Sequence, residues 1–247
     1  MKYGIHIGLN YLDPESYSGW RGWLLGCVKD ADAMRELILA DKCVCLYNEA
    51  GSIKNFIDFV STYSSIMCES DKLFITYSGH GASIKDRSGD EADGKDEAWC
   101  FYDGLLLDDD VNKILMGVTG TVIVISDSCH SGTVTRGMKN LSLTTDSKRT
   151  KQIPRYIVDK AKQYKLESNT KPRNPNIVTL SACQDNQYSY DTDSGGLFTN
   201  GILELIRENS EYNFIELVSN LRLRITDQTA KLSYRNGKAI LYKPVFV

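Results

Sequence analysis

Short apolar runs alternate along this chain with longer stretches whose apolar positions recur every three to four residues. Tyr3 to Leu9 reads as a buried strand. LGCVKDADAMRELILA (25–40) reads as a helix with Asp30 and Asp32 near its first turn. CVCLYN (43–48) is a short strand, and SIKNFIDFVSTYSSIM (52–67) an amphipathic helix with Ser52 as its N-cap. KLFITYSGHG (72–81) is an apolar strand that stops at Ser, Gly, His and Gly. DRSGDEADGKDEAW (86–99) reads as an acidic loop, and LDDDVNKILMGV (107–118) opens a helix on three aspartates, where the helix dipole favours anions. Thr121 to Asp127 is a second wholly apolar strand with a polar end, followed by Ser128, Cys129, His130, Ser131 and Gly132. PNIVTLSAC (175–183) is a strand, GGLFTNGILELIRE (195–208) a helix and NFIELVSNLRLRITDQTA (213–230) the last long helix. AILYKPVFV (239–247) is predicted to close the chain as a strand, with Pro244 marking an edge.

Strands alternating with helices predict an α/β fold with a mostly parallel sheet and right-handed crossovers. In such sheets functional groups gather at the carboxyl ends of the strands. Two strands end in reactive side chains, one before His80 and one before Cys129.

Composition narrows the classes. The chain has 247 residues, 42% hydrophobic and 25% charged, as in an ordinary soluble domain. MKYGIHIGLNYL has too short an apolar run for a secretory leader, and no stretch is long enough to span a membrane. The seven cysteines lack CxxC spacing, which favours free thiols in a reducing cytoplasm over a disulfide framework or a zinc site. The net charge of −3 hides a basic segment: residues 136–173 hold eleven Lys or Arg and three Asp or Glu. With two tyrosines and no binding motif, it reads as a solvated linker rather than a nucleic-acid surface.

A thiol becomes a nucleophile when a nearby imidazole takes its proton. Cys129 and His80 each sit among small residues, which let a substrate backbone approach. The N–H groups of Gly81 and Cys129 are candidates for an oxyanion hole. His6 lies inside the first strand and reads as a core residue.

These segments resemble the caspase-fold cysteine peptidases, above all the metacaspase and bacterial caspase-like branch. YSGHG is followed about fifty residues later by SDSCHSG, and GCVKDADAM, DGKDEAWCFYDG, TLSACQDNQYSYD and GGLFTNGIL follow the family's order. The resemblance implies a three-layer α/β/α sandwich over one domain, 1–247. Its large-subunit-like part is 1–135, its basic linker 136–174 and its small-subunit-like part 175–247. It also implies Cys129 as nucleophile, His80 as general base, and a His130 ring turned away from the reacting bond.

By the same resemblance, Asp127 and Asp30 line the primary specificity pocket, with Cys27 and Ser78 beside them. Two carboxylates in a narrow pocket attract a cation, so the expected cut follows Arg, then Lys. Calcium is implied at Asp93, Asp108 and Asp109, with Asp96 as an alternative to Asp93, although Arg136 stands where a further ligand is expected. Hard carboxylate oxygens suit that ion, and the chemistry itself needs no cofactor. The expected partners are a protein substrate with Arg or Lys at the cut and a regulatory protein, with no nucleic acid or membrane. Self-cleavage is expected between Arg136 and Arg155, around DSKRTK (146–151). The competing reading is a catalytically silent caspase-like interaction module.

Overall fold

The computed structural model describes residues 1–85, 95–129, 149–166, 171–183 and 187–247. In chain order the elements are β1 (Lys2–Gly8), α1 (Cys27–Ile38), β2 (Lys42–Tyr47), α2 (Ile53–Ile66), β3 (Lys72–Ser78), β4 (Gly81–Lys85), β5 (Lys95–Phe101) and β6 (Gly104–Leu107). There follow α3 (Asp108–Met116), β7 (Thr121–Asp127), β8 (Arg149–Thr150), α4 (Arg155–Val158), β9 (Asn176–Ser181), β10 (Tyr190–Thr192), β11 (Gly195–Gly196), α5 (Leu197–Glu208), α6 (Phe214–Arg224) and β12 (Lys231–Arg235).

Six strands form the central sheet in the order β12-β9-β7-β3-β1-β2. Neighbours are parallel except β12, which runs antiparallel to β9. The alternation of side chains along a strand sets the layers. Leu73, Ile75, Tyr77, Val122 and Val124 pack on the face covered by α2 and α3. Phe74, Ile123 and Ile125 pack on the opposite face, against Met34 of α1, Phe198 and Ile202 of α5, and Phe214 of α6. Each such fully buried side chain contributes roughly 1.5–3 kcal/mol. The result is the expected α/β/α sandwich.

The same alternation aims the polar strand ends. Ser78 and Asp127 are register partners at the ends of β3 and β7. Both continue the row of Phe74 and Ile125, so both face α1 and α5.

Four expectations are corrected. The closing strand over 239–247 is absent; Lys238–Tyr242 is a short 3-10 helix, and Pro244 makes one isolated bridge to Asn213. The sheet edge is instead β12, carved from residues placed beyond α6, which stops at Arg224 rather than at 230. Its mostly exposed KLSYR lacks the apolar run that flags a buried strand. The end of the acidic loop is strand, because β5 begins at Lys95 and pairs with β4 and β6. The pattern of IVDKAKQYKLE (157–167) also suggests a helix, but the helix formed here is the short α4, Arg155–Val158. Ser52 does cap α2, accepting from Asn55 N–H at 3.2 Å.

Candidate active site

The ends of β3 and β7 and the start of α1 converge on one buried ammonium group. Lys151, after β8, is fully buried. Its Nζ lies 3.1 Å from Asp30 Oδ2, 3.1 Å from Asp127 Oδ1 and 2.8 Å from Ser78 Oγ. Ser78 Oγ–H donates in turn to Asp30 Oδ2 at 2.6 Å. Cys27 is buried beside them at the first residue of α1, and burial raises its thiol pKa. Asp30, Asp127, Ser78 and Cys27 are thus gathered around the chain's own Lys151 ammonium.

The carboxylates are held from behind by α5 and its approach. Asp127 Oδ2 accepts from Thr199 N–H at 3.2 Å and from its hydroxyl at 2.8 Å, within the first turn of α5. Gly196 N–H donates to Asp30 Oδ1 at 2.8 Å. Ser189 Oγ–H donates to Asp127 Oδ1 at 2.5 Å. Burial pushes Asp30 up to about 6, against the opposing pull of the ammonium. Burial also works against the charge on Lys151, but Asp127 and Asp30 overcome it and hold its pKa well above the usual lysine value.

The backbone around Lys151 is held like an added strand. Arg149 and Thr150 pair antiparallel with Tyr190 and Asp191. Lys151 N–H donates to Ser189 O at 3.0 Å, and Lys151 O accepts from Gly81 N–H at 2.9 Å. Ile153 N–H returns to Gly81 O at 3.1 Å, and its side chain is buried in the core. Gly81 tolerates no side chain, since a Cβ there would stand 1.7 Å from Cys129 O and 3.3 Å from Cys129 N. The N–H that meets the Lys151 carbonyl thus lies directly against the residue carrying the thiol.

Cys129 is completely buried, and Ser189 N–H donates to its Sγ at 2.6 Å. Burial, followed by the neighbouring Cys183, raises the thiol pKa well above its usual value. His80 lies in the turn between β3 and β4, its backbone carbonyl bonded by the Tyr77 hydroxyl at 2.7 Å. Its Nε2 meets Gly22 O at 2.9 Å, and its ring packs on Trp20 at 4.8 Å between centroids. A carbonyl only accepts, so Nε2 carries the proton and Nδ1 keeps its lone pair. Nδ1 is buried and has no hydrogen-bond partner among the described residues. Burial lowers the imidazole pKa to about 4, against the pull of the Gly22 and Lys151 carbonyls. Thiol and imidazole are therefore both neutral at pH 7 while the cleft is filled.

The sequence pattern that defines the caspase domain (Peptidase_C14) matches residues 12–240. This chain belongs to the caspase-domain family. Metacaspase-1 of Schizosaccharomyces pombe is 24% identical over 92% of this chain and 64% of its own length. Metacaspase III c of Phaeodactylum tricornutum is 36% identical over 52% of this chain and 42% of its own. The chain thus spans under two thirds of these relatives. A crystal structure of a Geobacter sulfurreducens protein superposes with a TM-score of 0.81 at 28% identity, covering 100% of this chain and 98% of that one. Caspase-1 of Spodoptera frugiperda superposes at 0.58 over 94% of this chain and 85% of its own, with 12% identity, and shows the shared fold.

Within this caspase domain the acidic rim does not assemble a metal site from the described residues. Asp93, His130 and Arg136 lie outside them. Asp108 and Asp109 line a cavity of about 490 Å³ together with Glu97, but Lys231 and Arg235 line it too. Among the described residues the one convergent group of three metal-ligating side chains is Cys27, Asp30 and Asp191. There the Lys151 ammonium already supplies the positive charge. Asp96 is buried on β5.

Several residues that matter here carried no motif. Gly22 and Trp20 orient His80, Ser189 touches both Cys129 and Asp127, and Thr199 anchors Asp127. Asp191 ties β10 to the start of α1 by accepting from Leu25 N–H at 2.5 Å and Gly26 N–H at 3.1 Å. Cys183, the rival thiol, donates to Ser128 O at 3.4 Å. His6 is buried with Nδ1 3.0 Å from Thr76 Oγ1, in the first strand. All seven cysteines are free thiols.

Proposed function

We propose that this caspase domain is a cysteine endopeptidase that cuts after basic side chains, and that residues 149–153 are its first substrate. The observation that carries the proposal is the seat of Lys151. Its ammonium lies between Asp30 and Asp127, its carbonyl on the Gly81 N–H, and its backbone pairs as an added strand. Strand addition gives sequence-independent affinity, and the charged pocket selects the side chain. The bond presented for cleavage is Lys151–Gln152, within the stretch where self-cleavage is expected.

The chemistry assigned to the site is acyl transfer. The Cys129 thiol gives its proton to His80 Nδ1 as Sγ attacks the Lys151 carbonyl carbon. The resulting oxyanion is stabilised by the N–H groups of Gly81 and Cys129. The C–N bond then breaks, and Nδ1–H returns the proton to the departing Gln152 nitrogen. Water, deprotonated by Nδ1, hydrolyses the thioester to a Lys151 carboxylate and a free thiol. Gly22 O and the Trp20 ring fix the tautomer and tilt this cycle needs.

The proposed partners are protein substrates with exposed basic residues in an extended segment, together with a regulatory protein. No helix among the described residues is long and apolar enough to cross a membrane. Seven free thiols support a reducing compartment such as the cytoplasm. The test is hydrolysis of fluorogenic peptides ending in Lys, Arg or Asp, with and without a thiol alkylator. Cleavage after a basic residue, lost on alkylation and in Cys129→Ala, supports the reading. Cleavage after Asp alone, or cleavage that survives both treatments, contradicts it.

A further inference from the structure

We propose that the pocket selects lysine over arginine at the residue before the cut, a refinement that rests on the basic-pocket reading above. Two carboxylates alone favour the reverse order, because a guanidinium fork uses paired oxygens well. Here the paired oxygens are not available. Asp127 Oδ2 is committed to Thr199 N–H and Oγ–H, and Asp30 Oδ1 to Gly196 N–H. The two N–H donors among them are fixed by the start of α5 and cannot turn away. What faces the ammonium is Asp30 Oδ2, which also accepts from Ser78, Asp127 Oδ1, which also accepts from Ser189, and the Ser78 hydroxyl oxygen. That is three acceptors for the three donors of an ammonium. A guanidinium brings five donors in a rigid plane and would bury some of them unpaired.

Space points the same way. Behind Asp30, Ser78, Asp127 and Thr199, on the side away from the ammonium, the void they share with Ile7, Met34 and Ile125 is only about 10 Å³. That is the lower limit for a single water molecule. Arginine carries two more heavy atoms than lysine. The floor is backbone: a Cβ built on Gly196 would stand 2.6 Å from Lys151 Nζ and 2.1 Å from Asp127 Oδ2. Gly196 is therefore a specificity-determining position together with Ser78, because it lets α5 approach close enough to cap the pocket at lysine length.

The test uses two fluorogenic peptides identical except for Lys or Arg before the reporter, hydrolysed by the purified full chain. The proposal expects kcat/KM to favour lysine by about tenfold or more, a difference of about 1.4 kcal/mol. Equal values, or a preference for arginine, overturn the lysine order and leave the basic pocket standing. A readout independent of turnover uses melting temperatures in a Cys129→Ala background. Lys151→Arg should melt below the parent, because the longer side chain cannot seat. A Lys151→Arg chain as stable as its parent overturns the proposal even if no peptide is cut. A Lys151→Met chain as stable as its parent overturns the cation pocket itself, and with it the reading on which the proposal rests.

Discussion

Lys151 Nζ and Asp127 Oδ1 lie 3.1 Å apart in a site where both side chains are almost wholly buried. An ion pair so deep is stable only when its remaining hydrogen bonds are met, and here Ser78, Ser189 and Thr199 meet them. The same contact that holds the linker also blocks the pocket. Lys151→Ala should therefore empty the cleft and abolish the cut after residue 151. It should also raise hydrolysis of a lysine peptide by roughly tenfold or more, as a competent state once rarely populated becomes dominant. Steady-state kinetics of the variant against the wild type measure this directly.

The dyad makes the bluntest prediction. Cys129→Ala and His80→Ala should each reduce peptide hydrolysis by about 1,000-fold or more. Trp20→Ala and substitutions at Gly22 touch no substrate atom. They should lower kcat more than they raise KM, because they loosen the imidazole rather than the pocket. Residual activity near wild type in either dyad variant would remove that residue from the mechanism.

On the proposed reading, Asp30 and Asp127 set which side chain is cut after. Asp127→Asn or Asp30→Asn should reduce cleavage after basic residues by roughly 10- to 1,000-fold, for buried charge-assisted contacts worth about 1.5–3 kcal/mol each. Cleavage after Asp should not appear in either variant, since neither change supplies a cation.

Acid should destabilise the closed state through His80. Its folded pKa of about 4 lies below the ordinary histidine value of 6.5, so between those values the unfolded chain binds a proton that the folded chain refuses. Stability from this group is complete above about pH 6.5 and is lost as pH falls toward 4, on the order of 3 kcal/mol in all. His6, lowered to about 4 by burial, acts in the same direction, while Asp30, raised to about 6, acts against both. Thermal melts of Cys129→Ala with and without His80→Asn isolate one contribution. The double variant should lose less stability between pH 6.5 and 4, by about that amount.

The chain's pattern of apolar runs was enough to place β3, β7 and β9, because a parallel strand buried on both faces reads as continuous apolar sequence. It failed at β12, where a half-exposed edge strand such as KLSYR looks like loop. It also failed at 239–247, where apolar residues that pack against α6 resemble a strand. Cys129, His80, Asp30 and Asp127 were legible as motif residues. Gly22, Trp20, Ser189 and Thr199 were not, because a backbone carbonyl, a ring face or a helix-start hydroxyl gains its role only from tertiary position. Lys151 was one basic residue among eleven in its segment, and only its seat distinguishes it.

The most direct test of the account is intact-mass spectrometry of the purified wild type beside Cys129→Ala. The wild type should yield a fragment ending at Lys151 and its complement beginning at Gln152. The two should co-purify, since β7 and β9 share one sheet across the cut and Ile153 stays buried. The Cys129→Ala chain should remain whole. The same fragments in both proteins, or a wild type that stays intact and also leaves lysine and arginine peptides uncut, would contradict it.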